Sequence, residues 1–137
     1  ISYAAFYVNN LTEVSVPSSV EIIGTMGFSR NSISKLSLPK NLKSIGNEGF
    51  RYNELTEAIE VLVPGPSTTI GDKAFYDNKI AVNDLFWYKK KSDGSPDYTI
   101  LLGYLGEYTK FSDNKFVIPG SKKGVALKEI NDRVSVI

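Results

Sequence analysis

The chain has 137 residues, 42% hydrophobic and 23% charged, which fits one folded domain able to bury a continuous core and not a disordered segment. Sixteen basic against fifteen acidic side chains leave a formal net charge of +1, so charge gives no case for a nucleic-acid partner or a membrane surface. With neither cysteine nor histidine, the sequence cannot supply a disulfide, a thiolate metal site, or a Ser-His-Asp or Cys-His catalytic arrangement.

Four segments at the start of the chain align with one another. They are Ile1-Ser2-Tyr3-Ala4-Ala5-Phe6 with Asn9 and Leu11, and Ile23-Gly24-Thr25-Met26-Gly27-Phe28 with Asn31 and Ile33. Ile45-Gly46-Asn47-Glu48-Gly49-Phe50 follows with Asn53 and Leu55, then Ile70-Gly71-Asp72-Lys73-Ala74-Phe75 with Asn78 and Ile80. The steps between the leading isoleucines are 22, 22 and 25 residues, so one repeat has gained three. Between these blocks lie Val14-Ser15-Val16-Pro17, Leu36-Ser37-Leu38-Pro39 and Val61-Leu62-Val63-Pro64. Alternation of apolar residues predicts a half-buried strand, ended by a proline that cannot donate to a ladder.

A period near 22 residues is too short for one repeat to bury its own apolar face. Stacked turns can, which predicts a solenoid, α/β or mainly β, of about four repeats with parallel strands on one face. The leading Ile, the Phe and the strand residues are expected in the core. The glycine after Ile is expected to permit a tight turn, and the small residue before Phe to let neighbouring turns approach. Asn9, Asn31, Asn53 and Asn78 each stand three residues after a Phe. Such a row can satisfy backbone groups of adjacent turns or present amides to a ligand; its sharing of the core period favours the structural role.

Further along, Leu85-Phe86-Trp87-Tyr88-Lys89-Lys90-Lys91 and Tyr98-Thr99-Ile100-Leu101-Leu102 flank Ser92-Asp93-Gly94-Ser95-Pro96-Asp97, a pattern that predicts a β-hairpin. The triple lysine reads as a solvated strand end beside the turn. Residues 1–83 form the expected repeat array, and residues 84–137 a hairpin-containing module that continues it, with residues 130–137 as a cap or a cut repeat. No apolar run approaches the ~20 residues that span a bilayer, and no secretory leader pattern is present. Ile1 is not an initiator methionine, which predicts a processed chain or a piece of a longer one.

Leu11-Thr12-Glu13-Val14-Ser15-Val16-Pro17-Ser18-Ser19-Val20-Glu21-Ile22-Ile23-Gly24, with Phe28 and Asn31 beyond, resembles the BspA-like, or Treponema-type, leucine-rich repeat. The likeness covers residues 1–83, with Ser2 for glycine and Gly27 and Gly49 for alanine. Thr99 to Gly106, then Phe116-Val117-Ile118-Pro119 and Leu127 to Asp132, resemble the segment that often follows such repeats, with Asn131 in place of glycine. The resemblance implies a non-catalytic binding or adhesion module, extracellular, on the bacterial surface or secreted. An architectural spacer, or an accessory domain of a secreted enzyme, is the alternative.

On the family's geometry the outward positions of the concave sheet align as Thr12/Ser34/Ile59, Glu13/Lys35/Glu60 and Ser15/Ser37/Leu62. The charged row reads as opposite charges on neighbouring strands, each pair contributing ~0.2–1 kcal/mol. A shallow polar surface of this kind suits an extended protein or glycan better than a small molecule. Trp87, Tyr88, Tyr98 and Tyr104, with Phe86 and Tyr108, form a second candidate contact patch or a hairpin core, half of them outward by alternation. Asp72, Asp77, Asp93, Asp97 and Asp113 match no calcium-loop pattern, and no glycine-rich phosphate loop occurs. No cofactor or metal is expected.

Overall fold

The computed structural model describes residues 1–107 and 116–136. The repeat turns lie side by side, joined by two parallel sheets on opposite flanks. On one flank β1 (Glu13–Ser15) pairs with β3 (Lys35–Ser37). On the other, β2 (Ile22–Ile23), β4 (Ser44–Ile45) and β5 (Thr69–Ile70) form a three-stranded sheet in the order β2-β4-β5. Each strand of this second sheet ends on the leading isoleucine of a turn, and Ile23 and Ile45 are fully buried or nearly so, at 0% and 2% exposure.

Phenylalanines stack along the turns, with Phe28, Phe50 and Phe75 buried and Phe6, expected in the core, exposed at the first turn. The rings of Phe6 and Phe28, Phe28 and Phe50, and Phe50 and Phe75 lie 5.0, 5.3 and 5.6 Å apart and within 12° of parallel. Backbone N–H groups tie each turn to the next, as Ala4 to Thr25, Met26 to Asn47 and Glu48 to Asp72, all at 2.9 Å. That geometry needs two left-handed residues per turn. They are Ala4 and Val8, Met26 and Arg30, Glu48 and Tyr52, and Lys73 and Asp77, with φ between 50° and 59°. None is a glycine, so each costs roughly 1–2 kcal/mol that the inter-turn hydrogen bonds offset.

The asparagines complete the polar accounting. Asn53 Oδ1 accepts the Ile33 N–H of the preceding turn at 3.0 Å, and its Nδ2 donates to the Phe28 and Phe50 carbonyls at 3.0 Å each. Asn31 and Asn78 repeat the arrangement on Leu11 and Phe6, and on Leu55 and Phe50. Asn9 is exposed and, among the described residues, reaches only the Tyr7 carbonyl, at 3.4 Å. The two small-residue positions exchange the roles expected of them. A Cβ on Gly46 would lie 2.5 Å from Thr25 N of the preceding turn, so the glycine after Ile is what allows turns to approach. The glycine before Phe makes room within its own turn: a Cβ on Gly49 would sit 2.8 Å from Ile45 Cγ2.

Where the third strand is expected, Val61 and Leu62 instead belong to a short helix, α1 (Ile59–Leu62), which Val63 caps. Apolar residues three apart decide this. On a helix Ile59 and Leu62 share a face, and both are buried, at 0% and 2% exposure. As a strand matching β1 and β3, the segment would turn both outward, losing roughly 1.5–3 kcal/mol for each side chain. The three inserted residues supply the slack that lets the helix form.

Beyond a 3-10 turn at Val82–Asp84, β6 (Phe86–Lys90) pairs antiparallel with β7 (Pro96–Tyr104). Asp93 closes the connection by accepting from the Ser95 N–H and hydroxyl, and Gly94 takes φ +91°. A two-residue pair, β8 (Ser121–Lys122) and β9 (Val125–Ala126), precedes β10 (Glu129–Val136), which runs parallel to β7 on the side away from β6. The parallel pairing of β10 with a hairpin strand continues the parallel habit of the turns. Ile137, at the end of the segment expected to be a cap or cut repeat, lies outside the described residues.

Candidate functional site

The first candidate surface is the outer face of the β1–β3 pair. Its register sets Glu13 opposite Lys35, Val14 opposite Leu36 and Ser15 opposite Ser37. Thr12, Glu13, Ser15, Ser34, Lys35 and Ser37 are all exposed there. Ser34 Oγ leans back to the Thr12 carbonyl at 3.4 Å, while Glu13 and Lys35 form no ion pair among the described residues. Glu13, Ser15, Lys35 and Ser37, with Val14, Leu36 and Glu57, line a shallow open trough of about 390 Å³.

The third turn departs from the aligned rows. Ile59 and Leu62 belong to the core and are not available on this surface. Glu60 is also elsewhere: its carboxylate accepts from the Tyr98 hydroxyl at 2.8 and 2.9 Å, and Lys123 Nζ stands 3.7 Å away. Glu57 takes the place in the patch that register had assigned to Glu60. The sequence carried one signal for this, the extra three residues of the third repeat, which made strict alignment across it unsafe.

The aromatic candidates divide likewise. Tyr88 and Tyr104 are buried at 3% and 1% exposure and serve the interior of the hairpin region. Phe86, itself buried, stands 4.9 Å from Tyr104 and 5.8 Å from Phe116. Trp87 and Tyr98 are half-buried, and Tyr108 lies outside the described residues. Trp87 lines a second open trough of about 390 Å³ on the outer side of the hairpin sheet, with Ser67, Lys89, Ile100, Leu102 and Glu129. Burial raises the Tyr88 hydroxyl above its usual range, helped by the negative charge of Glu60, and that hydroxyl has no hydrogen-bond partner among the described residues.

One lysine of the basic run is not solvated. Lys90 is 9% exposed, and its Nζ donates to the Glu60 carbonyl at 3.0 Å and to the Val63 carbonyl. It also lies 5.2 Å from the centre of the Trp87 ring. Burial lowers its pKa, and Glu60 opposes that shift. The ammonium thereby satisfies carbonyls at the end of α1 that have no partner in the helix itself. Sequence reading missed this residue, because a lysine flanked by lysines carries no sign of burial.

Elsewhere several charges sit in ion pairs. Arg51 bridges Glu48 and Asp77 at 2.7 and 2.8 Å, Lys43 meets Glu21 at 3.1 Å, and Lys79 meets Glu54. Among the described residues no group of three or more Asp or Glu side chains could hold a metal ion, and no helix is long and apolar enough to cross a membrane.

Stacked short turns, parallel strands and a repeating Asn ladder define a leucine-rich repeat protein. A family model for the BspA type leucine-rich repeat region matches residues 1–86 with six copies, and the chain belongs to that family. Six copies are more than the four turns that the Ile-to-Asn register picks out. Nothing among curated proteins or solved structures matches the chain.

Proposed function

We propose that the chain is a non-catalytic binding module of a bacterial surface or secreted protein, its turns stacked as a solenoid. The patch of Glu13, Ser15, Lys35, Ser37 and Glu57 meets an extended protein or glycan. One observation carries this reading. Arg51, Lys43 and Lys79 pair with carboxylates elsewhere, while Glu13, Lys35 and Glu57 share one trough and make no ion pair there with described residues. Charges held side by side but unpaired are available to a partner. The association of this repeat family with bacterial surface proteins supports the location, and the absence of histidine and cysteine from the sequence supports a non-catalytic role.

The test is a screen of the 137-residue chain against arrays of glycans and extracellular-matrix proteins, with Lys35→Glu as the control. Binding by the parent chain that drops at least about tenfold in the variant is the expected outcome. No binding above background, with circular dichroism showing an intact fold, would leave the architectural spacer.

A further inference from the structure

The helix at residues 59–62 has a consequence for its neighbour. Val16 N–H donates to the Ser37 carbonyl at 2.9 Å and Lys35 N–H to the Thr12 carbonyl at 3.4 Å, so β1 is met by the odd-numbered residues of β3. Residues of a parallel strand point their backbone groups alternately to either side. The N–H and C=O of Leu36 and the N–H of Leu38 therefore face away from β1. On that side β3 has no strand, and none of these three groups has a partner among the described residues. The regular repeat would supply one from residues 60–62, but those form α1.

We propose that this open edge of β3 binds an extended peptide of a partner protein as a third strand, parallel to β1 and β3. This rests on the binding-module reading above and narrows its partner from protein or glycan to protein. Two donors and one acceptor spaced along a strand are complementary to a peptide backbone, not to a sugar ring. Side chains agree with that occupant. The peptide residue beside Lys35 points outward into the trough that Glu57 lines, where an acidic side chain can pair with the ammonium that Glu13 leaves free. The peptide residues beside Leu36 and Leu38 turn inward, so apolar side chains suit those two positions.

The chain's own β1 segment, Asn10 to Ser18 as a blocked peptide, has this pattern and serves as the probe. Amide exchange by NMR in the free protein should be faster at Leu36 and Leu38 than at Ser37, whose N–H faces β1. Saturating peptide should slow Leu36 and Leu38 about tenfold or more and leave Ser37 unchanged. A peptide N-methylated at Ser15 loses the donor to Leu36 C=O and should bind about fivefold to tenfold more weakly. Unchanged exchange at millimolar peptide with the fold intact, or equal binding by the N-methylated form, overturns the proposal. If those arms fail while a glycan or matrix protein binds and Lys35→Glu abolishes it, the binding module stands and the strand-addition edge falls.

Discussion

The repeat turns and the hairpin region solve one problem, the pairing of backbone groups at an irregular boundary, in different ways. In the turns an asparagine does it by position: Asn31, Asn53 and Asn78 make the same bonds to equivalent atoms. Between the third turn and the hairpin, contacts that occur once do it. Lys90 holds the carbonyls of Glu60 and Val63, Tyr98 holds the Glu60 carboxylate, and Gly94 packs so close to Pro64 that a Cβ would lie 2.7 Å from its carbonyl oxygen. Periodic contacts spread stability along an array, because each turn answers to its neighbours. Singular contacts concentrate it, so one side chain decides whether the hairpin stays docked.

The sharpest way to break the periodic half is Phe50→Ala, which empties the middle of the ring stack. Urea denaturation should show a loss of ~3–5 kcal/mol, with a clearly smaller loss for Phe6→Ala, whose ring is 42% exposed. Asn53→Ala strands an N–H and two carbonyls and should cost about 3 kcal/mol, whereas Asn9→Ala, at an exposed site, should change the midpoint little. Equal losses at Asn9 and Asn53 would refute the ladder as the source of stability.

The singular half is probed by Lys90→Met, which keeps the aliphatic stem and removes the donor. A loss of about 1–3 kcal/mol is expected, with faster amide exchange in residues 86–104 and little change around Phe28. A uniform rise in exchange across both regions would show that the hairpin and the turns are not separable. The smallest effect is a pH dependence. Burial, then the Glu60 hydrogen bond, pushes the Tyr98 hydroxyl from 10 up to about 12. The unfolded chain then loses this proton first. Stability from Tyr98 is complete below pH 10 and falls as pH rises towards 12. Tyr98→Phe should flatten that part of the curve of unfolding midpoint against pH.

The periodic half was largely legible in the sequence, apart from Phe6 and Asn9, which are exposed, and the exchanged roles of the two small-residue positions. Ile23, Phe28 and Asn31 announce a turn because the same three recur at one spacing, and their burial follows from that spacing. The hairpin between Phe86 and Tyr104 was legible from turn residues between two apolar runs. The candidate surface was legible only in its first two strands. Ser15 and Ser37 sit where alternation puts them, but the third row failed at Ile59, Glu60 and Leu62. There two patterns overlapped in the same few residues, apolar-x-apolar-proline for a strand and Ile59 with Leu62 for a helix face. Burying two large side chains outweighed continuing the ladder.

Sequence alone thus determined the repeat, its turn boundaries and most of its core, because a period repeated four times makes weak local preferences add. Tertiary structure decided the left-handed residues, which are Ala4, Met26, Glu48 and Lys73 at one position and Val8, Arg30, Tyr52 and Asp77 at the other. No residue type is shared there, since the neighbouring turn imposes the conformation through hydrogen bonds. It also decided that Lys90 is buried and Glu60 withdrawn from the outer face while Glu57 remains. Those outcomes depend on which surfaces meet across long gaps in the chain, 38 residues between Glu60 and Tyr98, and no local pattern encodes such a meeting.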